Sequence, residues 1–347
     1  MVSGRRSGRR KSLKKGWIVA LVLGTVVLVG VGGGAAWLSN GTKPVAGGKE
    51  VLLRYEGRKP LQTVLNDLQR RGIVRDARAA SVWARLTKKP SLVPTGTYRL
   101  RPGQTLEEIV SELQKPIRHM VRIPETNWAA RTSRILEREQ VCSAASYMEL
   151  VKNPAAFEGT VSFPLPKDSL EGYLYPDTYD LPPLLGARGV IERQLENFEK
   201  RVWKGLKEPK GLARIITIGS LVEMEVAVDS ERPMVAGVVE NRMKKGMRLQ
   251  IDAAINYGLQ KWRPLTLADY KNVVSPYNLY LVDGLPPTPI CSPTVESIEA
   301  AITPAKHDKL YYVALPDKTS LFSATYEGHL KNVAKRRAAI KALEKTR

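Results

Sequence analysis

From Gly16 to Leu38 the chain runs 23 residues without a charge, and no other stretch limits its fold as strongly. At 1.5 Å per residue a helix of that length crosses a hydrocarbon layer of about 30 Å. Trp17 and Trp37 stand at the two ends of the run, where interfacial aromatics settle. The preceding segment, MVSGRRSGRRKSLKK, carries seven basic residues and no acid. The positive-inside rule then predicts a cytoplasmic arm over residues 1–15, a single transmembrane helix over 16–38, and an extracytoplasmic remainder anchored in the cytoplasmic membrane. A signal-peptide core is usually about 7–15 residues, so the run reads as an uncleaved anchor, although Val31 to Ala36 contains small residues suited to processing.

The formal charge of +21 would suggest a nucleic-acid ligand if the chain lay in the cytoplasm. Taking away the seven arm charges leaves +14 on the exported part, which meets no nucleic acid in that topology. Anionic wall polymers or the anionic membrane surface are the partners that fit, with solubility as the plain alternative. Cys142 and Cys291 are the only cysteines. Outside the membrane they would form one disulfide or remain two buried thiols. With three scattered histidines, His119, His307 and His329, they make no metal-ligand spacing, and no metal or other cofactor is expected.

The exported part has room for two domains. Residues 39–49 read as a tether rich in Gly, Pro and Lys. Within 50–117, a strand over Val51 to Tyr55 leads to a helix with Leu61, Val64, Leu65 and Leu68 at i, i+3, i+4 and i+7. A helical stretch over Ala77 to Leu86 joins this unit to a second one. There a strand over Thr97 to Leu100, a turn at Pro102-Gly103, and Thr105 with Glu108 as a capping box precede the helix of Leu106, Ile109, Val110 and Leu113. Residues 118–347 open on a strand over Arg118 to Ile123 and a helix from Trp128 to Glu139. The Pro- and aromatic-rich block EGYLYPDTYDLPP follows, read as a loop or connector. Ile191, Leu195, Phe198 and Val202 mark another helix, Val295 to Ile302 a further one, and Leu310 to Ala314 pairs with Leu321 to Ala324 as a hairpin. The expected class is α+β throughout: a transmembrane helix, a small domain and a larger one.

The stretch LVEMEVAVDSERPMVAGVVENRMKKGMRLQIDAAINYGL carries the candidate chemistry. Ile215, Ile218, Leu221, Val222 and Val226 fall on one side of a helix, and Glu225 lies within that arc. Glu223 projects roughly 200° away. A carboxyl among apolar side chains loses hydration, and its pKa rises into the range of a general acid. The alternative is a glutamate at the edge of the stripe paired with Arg232.

Together with SPYNLYLVDGLPPTPICSP, LYYVALPDKTSLFSATYEGH, the Ile-Pro-Glu step at Ile123 to Glu125 and the GYLYPDTY block, this stretch resembles the YceG-like family of membrane-anchored endolytic murein transglycosylases. The segment YRLRPGQTLEEIV likewise resembles the opening of a LysM module, which implies a LysM-like domain over 50–117, a glycan binder or equally a spacer that positions the catalytic domain over 118–347. The resemblance implies cleavage of the β-1,4 bond between N-acetylmuramic acid and N-acetylglucosamine within peptidoglycan strands, leaving 1,6-anhydro ends. It implies Glu225 as the catalytic acid and base, and Gln250, Asp252, Tyr257, Tyr277 and Asn278 as substrate-binding residues; a turn cap at Gln250 and Asp252, and core aromatics with a bonded hydroxyl at Tyr257 and Tyr277, are the plain alternatives, and His329 in the terminal motif is expected to hold the hairpin. Glu223 and Arg232 match in supporting positions, where a structural ion pair explains them equally. It implies nascent glycan strands as substrate and, by analogy, membrane-bound peptidoglycan synthases as partners. A hydrolase of the same polymer, with Asp252 or Asp229 activating water, and a non-catalytic glycan-binding scaffold are the competing readings. The chain departs from the family's pattern at Ala253-Ala254, where Pro-Thr is common, at Leu279 in place of Thr, and at Thr288 in place of Gly. The last of these implies a changed backbone angle.

Overall fold

The computed structural model describes residues 10–345, so most of the basic arm expected over residues 1–15 lies outside the described residues. Helix α1, Arg10–Gly41, contains a segment, Trp17–Gly41, that is long and apolar enough to cross a membrane. It continues through Asn40 and Gly41, which the sequence reading gave to the tether. The hydroxyl of Thr42 donates to the Leu38 carbonyl at 2.8 Å and closes its last turn. The described residues fall into two compact units, one ending at Ile117 and the next beginning at Arg118.

In the first unit β1, Val51–Tyr55, pairs antiparallel with β4, Gly96–Leu100, in a register that sets Leu53 opposite Tyr98. The two-residue strands β2, Lys59–Pro60, and β3, Leu92–Val93, form a second ladder. Helices α2, Leu61–Arg70, α3, Ala77–Leu86, and α4, Leu106–Glu112, complete the unit. The apolar face of α2, with Val64, Leu65 and Leu68 fully buried, meets Tyr98, Leu100 and Leu113 in one core. Each such side chain contributes about 1.5–3 kcal/mol on burial. Asp76 caps α3 by accepting from the amides of Arg78 and Ala79, and it also accepts from the Trp37 indole at 3.0 Å. Thr105 and Glu108 form the expected capping box on α4.

The second unit begins with β5, Met120–Arg122, paired antiparallel with β6, Thr178–Asp180. Strand β6 lies inside the block read as a connector; its Pro-flanked three residues are too few for alternation to register. Helices α5, Ala129–Arg138, α6, Ala144–Val151, and α7, Ala187–Phe198, share one apolar core with Val121 and Tyr179 of this ladder, and a π turn, Glu199–Lys204, extends α7. Within the same block Gly172 has φ +86°. A Cβ there would come within 2.5 Å of Pro289 and 2.9 Å of Ile216, so only glycine lets the segments close.

Helix α8, Leu212–Glu225, forms the centre. It was read as amphipathic, but every residue from Ile216 to Glu223 is buried, because α12, Val295–Ile302, and α9, Arg232–Lys244, pack along it. A helix covered on several sides needs no polar face. Helices α10, Asp252–Gly258, and α11, Leu267–Asn272, follow α9. A hairpin of β7, Tyr311–Ala314, and β8, Ser320–Ser323, then leads into α13, Tyr326–Lys345. Cys142 and Cys291 are both free thiols, the second fully buried.

Candidate active site

Glu225 is the last residue of α8. There the helix leaves its packed surroundings and opens on a cleft of about 510 Å³, bordered by Gln250, Asp252, Asn256, Trp262, Tyr280 and Tyr312 among others. The carboxylate is half-buried and accepts a hydrogen bond of 2.8 Å from the Tyr312 hydroxyl. Burial pushes its pKa up to about 7; the Tyr312 bond opposes that rise and the nearby charge of Asp252 adds to it. A carboxyl in this range exists near neutrality as both acid and base.

The depths of the two glutamates are the reverse of the helical-wheel expectation. Glu223, placed on the far side from the apolar arc, is the deeper of the pair at 6% exposed. Its carboxylate meets Arg232 at 3.3 Å and accepts from the Thr294 amide and hydroxyl at 2.9 and 2.7 Å. Arg232 also reaches Asp229 at 3.0 Å and Ser297. The basic partner considered for Glu225 therefore belongs to Glu223, and the acid facing the cleft has a tyrosine in its place.

Gln250, in the segment between α9 and α10, and Asp252, the first residue of α10, share the cleft with Glu225. Gln250 adopts φ +53°, a left-handed conformation uncommon for a residue with a side chain, and its backbone N–H donates to the Leu279 carbonyl at 3.0 Å. Asp252 caps no turn. Its two oxygens accept from the hydroxyls of Tyr280 at 2.7 Å and Tyr270 at 3.0 Å, and the two rings pack edge to face. The carboxylate is thus oriented while remaining exposed to the cleft.

Tyr257, Tyr277 and Asn278, expected to touch substrate, do not border this cleft. Tyr257 packs edge-on against Trp128 and Tyr277, and its hydroxyl donates to Glu171 at 3.3 Å. The Tyr277 hydroxyl bonds that of Thr288 at 2.8 Å. Thr288 shows no positive φ, so the change from glycine has replaced backbone freedom by a side-chain bond. Asn278 is fully buried: its amide donates to the carbonyls of Val273 and Tyr270 and its oxygen accepts from the Tyr280 amide. These three residues hold the walls behind the cleft.

Several residues of the arrangement were not found by sequence reasoning. Tyr312, Tyr270 and Tyr280 sit in motifs that were noted, but strand or loop pattern does not say which tyrosine turns inward. Arg242 is 8% exposed; it donates to the carbonyls of Leu310 at 2.6 Å and Leu249 at 2.7 Å, and its guanidinium covers the Tyr311 ring at 5.3 Å. His329, expected to hold the hairpin, stacks on Tyr311 and also borders the cleft. Glu171 is the other carboxyl raised to about 7 by burial. Both its oxygens accept from the Ala129 amide at 3.1 Å, so it caps α5 and does not border the cleft. Access to a cleft separates Glu225 from it.

The chain was compared with known proteins. It is 30% identical over 309 residues to the endolytic murein transglycosylase of Streptococcus pneumoniae serotype 2, covering 79% of this chain and 56% of that protein. It is 34% identical over 170 residues to the endolytic murein transglycosylase of Bacillus subtilis, covering 48% and 47%. The chain thus spans about half the length of these curated relatives. A crystal structure of a protein described as yceG-like, from Listeria monocytogenes, superposes with a TM-score of 0.54 at 27% identity, over 81% of this chain and 98% of that one. The YceG-like family model matches residues 56–335. By that match, which takes in part of the first unit, most of the second and every residue of the cleft except Arg336, the chain belongs to the YceG-like family.

Proposed function

We propose that this chain is an endolytic peptidoglycan lytic transglycosylase. It cleaves the β-1,4 bond between N-acetylmuramic acid and N-acetylglucosamine within nascent strands and leaves 1,6-anhydro ends. One observation carries the reading: Glu225 stands in a cleft of about 510 Å³ with a pKa pushed up to about 7 and a tyrosine on its carboxylate. The names of the curated relatives support the same substrate.

A single carboxyl suffices for this chemistry. Protonated Glu225 donates to the glycosidic oxygen as the bond from C1 to that oxygen breaks. The resulting carboxylate takes the proton of the muramic acid's own C6 hydroxyl, whose oxygen bonds to C1 and closes the anhydro ring. No water enters, and a sugar held with C6 oxygen near C1 makes the step intramolecular. Asp252, oriented by the hydroxyls of Tyr270 and Tyr280, opposes the positive charge that develops at C1. Gln250 offers its amide to the strand. Tyr257, Tyr277 and Asn278 support the cleft, and Glu223 with Arg232 fixes α8 against α9. Residues 50–117 are read as a LysM-like domain and 118–347 as the catalytic domain, held outside the cytoplasmic membrane by α1 with its N-terminus inside. Membrane-bound peptidoglycan synthases are the partners this placement suits.

Asp252 in the same cleft also favours a second reading, a muramidase-type hydrolase in which that carboxylate activates water. Mass spectrometry of the products released from purified peptidoglycan by the full chain and by Glu225→Gln distinguishes the readings. Anhydro ends from the wild type alone are the expected result. Reducing ends would establish the hydrolase, and equal release by both proteins would remove Glu225 from the chemistry.

A further inference from the structure

Beside the catalytic cleft lies a second groove of about 530 Å³, and Trp262 and Arg263 border both. Its other lining residues include Trp128, Arg131, Arg134 and Lys261, and no acidic side chain is among them. Trp262 is 54% exposed and packs at 6.3 Å from Trp128, over which the Arg131 guanidinium lies at 5.1 Å. Arg263 is neutralised by Asp269, which it meets through two hydrogen bonds of 2.7 and 2.8 Å. Arg131, Arg134 and Lys261 form no ion pair with any acid among the described residues; they are the three uncompensated cations of the groove.

An exposed indole shared with the catalytic cleft offers a stacking face to a sugar ring, and three unpaired cations just beyond it offer sites for carboxylates. We infer that this groove binds the short acidic peptide carried by the muramic acid whose ring rests on Trp262. The inference rests on the proposed action on peptidoglycan and adds to it a preference for peptide-bearing strands. The strand enters the cleft at Glu225, and the peptide's carboxylates leave it over Arg131, Arg134 and Lys261. A strand without the peptide carries only the single lactyl carboxylate of each muramic acid, one anion for three cations.

The test uses the full chain in detergent and two substrates, intact glycan strands and the same strands stripped of peptide by an amidase. The triple variant Arg131→Ala, Arg134→Ala, Lys261→Ala is compared with wild type and with the charge-keeping variant Arg131→Lys, Arg134→Lys. On intact strands the triple variant should show a KM raised about fivefold, the loss expected of a few part-exposed ion pairs, with kcat kept. Its KM should also lose most of its dependence on salt. On stripped strands, which keep only the lactyl carboxylate of each muramic acid, the rise in KM should be clearly smaller, and the lysine variant should match wild type on both. Equal loss on both substrates, or none on either, would overturn the peptide site. Should the wild type cleave neither substrate, the catalytic reading fails by itself. Calorimetric titration of wild type and triple variant with the free peptide then decides the groove: weaker binding by the variant supports it, and equal or absent binding overturns it.

Discussion

Replacing Glu225 by glutamine should make the second unit more stable, and only on the alkaline side. A carboxyl moved from 4.5 to about 7 binds a proton more tightly folded than unfolded. Between those two pH values the native state holds more protons, so stability falls as pH rises. Above pH 7 the penalty is complete, and at 1.36 kcal/mol per pH unit the full shift would cost about 3 kcal/mol. The group is half-buried and partly screened by solvent, which reduces the figure to about 2 kcal/mol. Glutamine keeps an oxygen for the Tyr312 hydroxyl and carries no charge to desolvate. Thermal melts of the full chain, followed by near-ultraviolet circular dichroism, should therefore coincide for wild type and Glu225→Gln near pH 4.5. At pH 8 the variant should melt about 5 °C higher, the response expected of a unit of this size. The contribution of Glu171 is common to both proteins and cancels in the difference. A gap that does not change between pH 4.5 and 8, or a variant less stable at pH 8, would refute the assignment of burial as the cause of the shift.

Two further outcomes follow from neighbouring contacts. The kcat/KM of wild type should fall as pH rises through about 7, where Glu225 loses the proton it donates. In Tyr312→Phe the ionised form loses its hydrogen bond, so this limb should move alkaline by about one pH unit, the equivalent of about 1.5 kcal/mol for a bond to a charged group; an acid shift in the pH profile would contradict the contact. Arg232→Ala leaves Glu223 buried without its cation and should lower stability by about 3 kcal/mol in urea denaturation. A loss under 0.5 kcal/mol would show the pair to be dispensable.

The first unit was legible because its devices are local. The α2 stripe at i, i+3, i+4 and i+7 and the capping box of Thr105 and Glu108 each declare themselves within one or two turns. Helix α8 was legible as a helix but not in its surroundings: the polar positions Thr217, Ser220 and Glu223 are buried by distant segments, so a wheel drawn from α8 alone put Glu223 on the wrong side of the depth scale. At the site, Glu225, Gln250 and Asp252 border one cleft and lie within 28 residues of one another, a proximity the sequence itself displays. Tyr312 joins Glu225 across 87 residues, and neither β periodicity nor burial propensity at Tyr311 and Tyr312 says which of the two faces the acid. Tyr257, Tyr277 and Asn278 lie in matched motifs, yet their hydroxyls and amide are engaged behind the cleft. A motif records that a residue is required, not whether its requirement is contact or support.

Arg242 joins both sides of the cleft through one guanidinium, bonded to the carbonyl of Leu310 at the foot of the hairpin and to that of Leu249 just before Gln250. The two walls therefore share a single hinge pin. A displacement of the hairpin is passed at once to the segment bearing Gln250 and Asp252, so the position of Tyr312 over Glu225 and the width of the cleft are one mechanical variable. The aperture of the cleft is thus set by a side chain of α9 that itself lines the cleft.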